Sequence, residues 1–198
     1  MTFDVFAAED IKAADGVSKD YYKADEKVGT ITTDSNGIAQ MDNLPAGKYY
    51  VKEVKTAHGY VLDGEPRYVD LSYRDQDTPV ITYDEKWQNT RQKVKVTVLK
   101  KEKDTDRVLA GGVFGLYTSE DIKNVNGDVL LEKDSLIEQK ATDEKGQITF
   151  AADLPVDGKY YVKENSAPDG FVTTEEVQEF TFEYAGEDQA EVSYDFTF

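Results

Sequence analysis

Gly47-Lys48-Tyr49-Tyr50-Val51-Lys52-Glu53 and Gly158-Lys159-Tyr160-Tyr161-Val162-Lys163-Glu164 are the same seven residues written twice. Within each stretch Tyr, Val and Glu recur at every second position. In an extended chain Tyr49, Val51 and Glu53 therefore share one face, as do Tyr160, Val162 and Glu164. The two stretches stand 111 positions apart, and the displacement holds elsewhere in the chain. Phe3-Asp4-Val5-Phe6 faces Phe114-Gly115-Leu116-Tyr117, Glu9-Asp10-Ile11 faces Glu120-Asp121-Ile122, and Tyr83-Asp84 faces Tyr194-Asp195. After a small length change, Thr33-Asp34-Ser35-Asn36-Gly37 answers Thr142-Asp143-Glu144-Lys145-Gly146. The chain is a duplicated domain, and each copy is too large for a solenoid repeat.

The local signals are β. Lys93 to Leu99, Gln147 to Phe150, Tyr160 to Lys163, Glu179 to Tyr184 and Glu191 to Phe198 are rich in Val, Ile, Thr, Tyr and Phe, alternating with polar residues. Asn36-Gly37 and Lys145-Gly146 suit turns that need a positive φ, and Leu44-Pro45-Ala46-Gly47 and Ala167-Pro168-Asp169-Gly170 break the pattern again. No stretch keeps a long helical period; Ser119 to Ile122 has room for one turn. Short strands between frequent turns predict β-sandwiches. The join near Thr90 to Lys93 is short and has no Gly or Pro, which predicts a stiff, end-to-end arrangement.

Composition narrows the function. Of the 198 residues 39% are hydrophobic and 12% aromatic, enough to build cores. The formal net charge of −17 repels phosphate backbones, so nucleic acid and anionic membranes are poor partners. With no cysteine there are no disulfides and no thiolate metal sites. No apolar run approaches the roughly 20 residues of a membrane span. Met1-Thr2-Phe3-Asp4 does not open a signal peptide, so either the protein is not exported or the sequence is an internal piece of a longer one.

Val98-Leu99-Lys100-Lys101-Glu102-Lys103-Asp104-Thr105-Asp106-Arg107-Val108-Leu109-Ala110-Gly111-Gly112-Val113-Phe114-Gly115-Leu116-Tyr117 resembles the opening of a CnaB-type, SpaA-like domain of prealbumin-like fold. Such domains are stalk modules of pilins and adhesins on Gram-positive bacteria. Tyr161-Val162-Lys163-Glu164-Asn165-Ser166-Ala167-Pro168-Asp169-Gly170-Phe171 is similar to the family's second, glutamate-bearing segment. Tyr50-Val51-Lys52-Glu53-Val54-Lys55-Thr56-Ala57-His58-Gly59-Tyr60 repeats it, with His58 where proline usually stands.

The resemblance implies an intramolecular isopeptide bond. A lysine near the end of the first strand attacks an asparagine on the last strand, and ammonia leaves with help from a buried glutamate. The amine must be neutral and the carboxyl protonated, and burial disfavours the charged form of both types of group. On this reading Glu53 and Glu164 are the glutamates. Lys101 is the amine, by its spacing before Leu109-Ala110-Gly111, with Lys100, on the other face, as next candidate. Asn89 is the acceptor of the first copy, and Asp195 is a possible substitute acceptor in the second. The counterpart of Lys101 falls before Met1 and that of Asn89 falls at position 200, so neither copy holds a complete set.

The expected fold is all-β, with two tandem prealbumin-like, Ig-like β-sandwich domains. The first spans residues 1–90 and lacks its first strand; the second spans 91–198 and stops just short of the end of its last strand. The expected function is a non-enzymatic structural stalk segment of a Gram-positive surface adhesin or pilin. Such a protein is extracellular and anchored to the cell wall, and its partners are neighbouring domains of the same protein. No cofactor, metal, nucleic acid or membrane insertion is implied. The alternative is a binding module for carbohydrate or a host matrix protein. Its stacking faces would be Tyr21-Tyr22, Tyr49-Tyr50, Tyr160-Tyr161 and Trp87, although aromatic residues in strands more often pack. Asp34-Ser35-Asn36-Gly37 faintly resembles a calcium loop but lacks the closing glutamate, so a hairpin turn is expected there. His58 is the single histidine, in a turn, and offers no triad.

Overall fold

A computed structural model describes residues 1–13, 15–78 and 80–198. The chain divides into two units, Met1–Arg91 and Gln92–Phe198. Unit 1 has strands β1 (Thr2–Ala7), β2 (Lys27–Thr32), β3 (Lys48–Lys55) and β4 (Arg67–Asp70). They form one antiparallel sheet in the order β2-β1-β3-β4. Unit 2 begins with β5 (Lys93–Leu99), β6 (Val113–Thr118), β7 (Ile122–Lys123), β8 (Val129–Leu131) and β9 (Leu136–Ala141). It continues with β10 (Gln147–Phe150), β11 (Lys159–Ser166), β12 (Val177–Thr181) and β13 (Glu191–Thr197). An antiparallel sheet of order β12-β11-β6-β9 faces a three-stranded sheet of order β10-β5-β13, and β7 and β8 form a small hairpin. β5 runs antiparallel to β10 and parallel to β13. Among the described residues there is no helix, and Ser119 and Glu120 form a bend that leads into β7.

The duplication extends to side-chain contacts. Phe6 stacks on Tyr50 with ring centroids 5.0 Å apart, and Tyr117 stacks on Tyr161 at 5.1 Å. The Tyr50 hydroxyl donates to Asp25 and the Tyr161 hydroxyl to Asp134, each at 3.2 Å. At the turns, Asp34 Oδ1 accepts from the N–H groups of Asn36 and Ile38, and Asp143 Oδ1 accepts from those of Lys145 and Gln147. These are Asx turns, in which the carboxylate substitutes for a backbone acceptor. The Ile38 and Asn36 amides hold the Asp34 carboxyl below its usual value, so this aspartate serves its own turn. Gly146 has a φ of +71°, and a side chain there would meet the Lys100 carbonyl at 2.8 Å. Only glycine satisfies both conditions.

In unit 2 both sheets supply the core. Val96 and Val98 come from β5, Phe150 from β10, and Phe114, Tyr160 and Val162 from the opposite sheet. Gln92 secures the start of the unit: its Nε2 donates to the carbonyls of Gly186 and Gln189, and its Oε1 accepts from the N–H of Ala185. Unit 1 has a smaller core, in which Val5, Ala7, Ile11 and Tyr49 are buried and Met41, Leu44 and Leu71 lean against them. The segments matching β10 and β13, about residues 38–41 and 80–86, carry no strand pairing. A sheet needs a ladder partner, and the central partner in unit 2 is β5.

Tyr49 and Tyr160 are the largest fully buried side chains of the two units. Their hydroxyls donate to the carbonyls of Pro45 and Pro155. Burial raises the pKa of both phenols, that of Tyr49 to about 12. The unfolded chain ionises near the ordinary value of about 10, so these two groups contribute stability that is intact below pH ~10 and declines as pH rises toward their folded values. Replacing Tyr160 with Phe is expected to cost about 1 kcal/mol at neutral pH through the lost hydrogen bond, and to flatten the alkaline decline. Urea denaturation of Tyr160→Phe and the parent chain between neutral pH and pH ~11 tests both.

Candidate functional site

The chemistry-bearing residues lie where strand alternation carries a polar side chain into the core. Val96 and Val98 point inward from β5, and the next position on that face is Lys100, just past the strand end. The Lys100 backbone is fixed on both sides, because its N–H donates to the Gly146 carbonyl at 2.8 Å and its carbonyl accepts from the Leu109 N–H at 3.0 Å. The Lys100 side chain is 9% exposed, and the Glu164 side chain, from β11, is fully buried. Lys100 Nζ lies 3.1 Å from Glu164 Oε1 and 3.2 Å from Oε2, with its hydrogen bond directed at Oε2. The backbone N–H of Thr174 also donates to Oε2, at 2.9 Å.

This corrects the expected amine. The Lys101 side chain is one-third exposed and pairs with the fully exposed Asp106 at 3.2 Å. Successive residues of a strand point to opposite faces, so Lys100 and Lys101 cannot both enter the core. Counting by twos from Val96 and Val98 selects Lys100.

In unit 1, Glu53 on β3 occupies the place of Glu164 and is completely buried. Its Oε2 accepts from the backbone N–H of Asp63 at 2.8 Å, the counterpart of the Thr174 contact. It also accepts from Nδ2 of Asn89 at 2.7 Å, and the same Nδ2 donates to the Val61 carbonyl at 3.2 Å. Asn89 therefore meets Glu53, the carboxylate that the resemblance pairs with it. Glu53 Oε1 and Asn89 Oδ1 are buried and, among the described residues, accept no hydrogen bond.

The structure thus brings together Lys100 with Glu164, and Glu53 with Asn89. The side-chain amide next to Glu164, that of Asn165, is engaged elsewhere: Tyr117 Oη donates to its Oδ1, and its Nδ2 donates to Gln139. Asp195 lies on the exposed face of β13, away from the interior. The backbone donors of Asp63 and Thr174 carried no side-chain signal in the sequence; their amides become relevant only once the loop is folded. Trp87 is half-buried, edge-on to Phe3 at 5.0 Å and beneath the Arg67 guanidinium at 3.9 Å, which is a packing role. Among the described residues no group of His, Cys, Asp or Glu could hold a metal ion, and no helix is long and apolar enough to cross a membrane.

Removing one partner of a buried ion pair strands the other charge. Lys100→Met is therefore expected to destabilise unit 2 by about 3 kcal/mol or more. Lys101→Met removes an exposed pair and is expected to change stability by less than about 0.5 kcal/mol. Urea titrations followed by circular dichroism distinguish the two, and equal losses would show that the inward position is misassigned.

The family described as "SpaA: Prealbumin-like fold domain" matches residues 3–87 and again residues 94–195. No curated protein matches the chain. Among solved structures, the chain is similar to the Bacillus anthracis TIE protein, with 26% identity and a TM-score of 0.62. That match covers 98% of this chain and 29% of the TIE chain, so these residues span under a third of that relative's length. Two proteins of Lactobacillus rhamnosus GG match at 15% identity over 99% of this chain. They are the C-terminal fragment of the pilus adhesin SpaC, at a TM-score of 0.44 over 87% of its length, and the shaft pilin spaA, at 0.37 over 85%. Matched over most of its length by one domain description used twice, the chain belongs to the SpaA prealbumin-like fold domain family, which it carries as two tandem copies.

Proposed function

We propose that the chain is a structural stalk segment of a Gram-positive surface adhesin or pilin, with lysine–asparagine cross-linking chemistry built into its modules. The observation that carries this reading is a dry carboxylate at one position in both copies, beside a buried lysine in one and an asparagine in the other. Where all three groups meet, the lysine nitrogen attacks the asparagine side-chain carbonyl carbon. The new C–N bond replaces the one to the amide nitrogen, which leaves as ammonia with a proton relayed by the glutamate. The bond would join the first and last strands of a module and so close nearly the whole domain into one loop, where restriction of the unfolded chain is greatest. The role is mechanical and non-enzymatic. The protein acts outside the cell, anchored to the wall through other parts of the polypeptide, and its partners are neighbouring domains of the same protein. Recognition of a glycan or matrix protein is the weaker reading, since Trp87, Tyr49 and Tyr160 are occupied in packing.

Intact mass spectrometry tests the chemistry. These 198 residues should keep their full sequence mass, and a form extended at both ends should be lighter by one ammonia per completed module. Glu53→Ala in the extended form should restore the first of those losses. Full mass in the extended parent would overturn the cross-linking reading.

A further inference from the structure

Three turns of this chain are built alike. Asp34-Ser35-Asn36-Gly37-Ile38, Asn124-Val125-Asn126-Gly127-Asp128 and Asp143-Glu144-Lys145-Gly146-Gln147 each open on a side-chain oxygen. That oxygen accepts from the N–H groups two and four residues further on. Each turn has its glycine at a positive φ, with the glycine N–H donating to the carbonyl of the opening residue. In two of the three the residue before glycine is asparagine, and both Asn36 and Asn126 are exposed. In the third it is Lys145.

The surroundings separate the turns further. A Cβ placed at Gly37 or Gly127 would meet nothing within 4 Å, so the backbone nitrogen after each asparagine is open to approach. Gly146 is buried against the Lys100 carbonyl and Leu109, and its own carbonyl accepts from the Lys100 N–H. The Asn36 side chain is tethered, because its Nδ2 donates to Asp34 Oδ2 at 3.3 Å. In the second turn the opening residue is Asn124, whose Nδ2 donates to Asp128 at 2.9 Å. The Asn126 side chain has no partner among the described residues.

We infer that Asn126 is a site of spontaneous self-modification and Asn36 a slower one. The Gly127 backbone nitrogen gives its proton to solvent and attacks Cγ of Asn126. A C–N bond forms, the bond from Cγ to Nδ2 breaks, and ammonia leaves after taking a proton from water. The product is a cyclic imide. Water then adds to either imide carbonyl and reopens the ring, to aspartate or to isoaspartate. Either product adds one negative charge between β7 and β8, and isoaspartate also lengthens the turn backbone by one carbon. Glycine permits the attack because it has no side chain to crowd its nitrogen. Asn43, Asn89, Asn124 and Asn165 precede Leu44, Thr90, Val125 and Ser166, which do crowd it. No step uses Lys100, Glu53, Glu164 or Asn89, so the inference stands apart from the stalk reading. The imide is lighter by one ammonia, as a lysine–asparagine bond is. Hydroxylamine tells them apart, since it cleaves the chain at an imide and leaves the cross-link whole.

The test is ageing of the 198-residue protein in mildly alkaline buffer, with and without urea, followed by peptide mapping with mass spectrometry. In the folded protein Asn126 is expected to convert about fivefold faster than Asn36, which one hydrogen bond to a carboxylate holds back. In urea the turns are lost and the two rates should converge. Lys145→Asn places a third Asn-Gly pair at the packed Gly146. It should convert more slowly than Asn126 when folded and match it in urea. Asn126→Gln should abolish the change at that position, because the longer side chain has to close a larger ring. Asn126 staying intact in the folded protein while it converts in urea would overturn the assignment. So would Asn36, or the asparagine of Lys145→Asn, converting as fast as Asn126 in the folded state, since sequence alone would then set the rate.

Discussion

A carboxylate inside a β-sandwich has to be met by donors, and the layout of both units follows from that requirement. An unpaired buried charge costs several kcal/mol, so the surroundings must either supply hydrogen bonds or reject the residue. Here a backbone amide in the loop after β3, or after β11, supplies the first donor, at Asp63 in one unit and at Thr174 in the other. The second donor differs, being an asparagine amide in unit 1 and a lysine ammonium in unit 2. The same buried carboxylate thus meets a different second donor in each unit, on the same scaffold and in the same protection from water.

The two units share one four-stranded layer: β1, β2, β3 and β4 match β6, β9, β11 and β12 in order and direction. What β5 adds is a ladder partner for β10 and β13 and two fully buried valines, each worth roughly 1.5 kcal/mol or more of apolar burial. It thus lies at the centre of the second sheet of unit 2, and the core sits between the two sheets.

Much of this was legible in the sequence. The repeat, the all-β class, the Asx-type glycine turns and the inward glutamates followed from identity and period-two alternation. The inward lysine does not: the distance to Leu109-Ala110-Gly111 points to Lys101, while the run Val96, Val98, Lys100 carries the stronger signal in its simple alternation. A ruler taken from motif spacing tolerates a one-residue slip; a pleated strand does not. β2 and β9 went unread for another reason. They are edge strands with mixed exposure on both faces, so no clean pattern marks them. β12 also ends earlier than Glu179 to Tyr184 suggested. Past the strand end Phe182 still donates to the Gly158 carbonyl, one position beyond the Lys159–Thr181 pair.

The parallel pairing of β5 with β13 has a bearing on force. Seven residue pairs join them, from Lys93 opposite Glu191 to Leu99 opposite Thr197. Because the strands run the same way, the chain enters unit 2 at one end of this ladder and leaves at the other. Tension applied through the chain ends would load the rungs together in shear, where an antiparallel hairpin would unzip one rung at a time. Resistance of that kind is set by the barrier to unfolding rather than by equilibrium stability. It would come from strand direction alone.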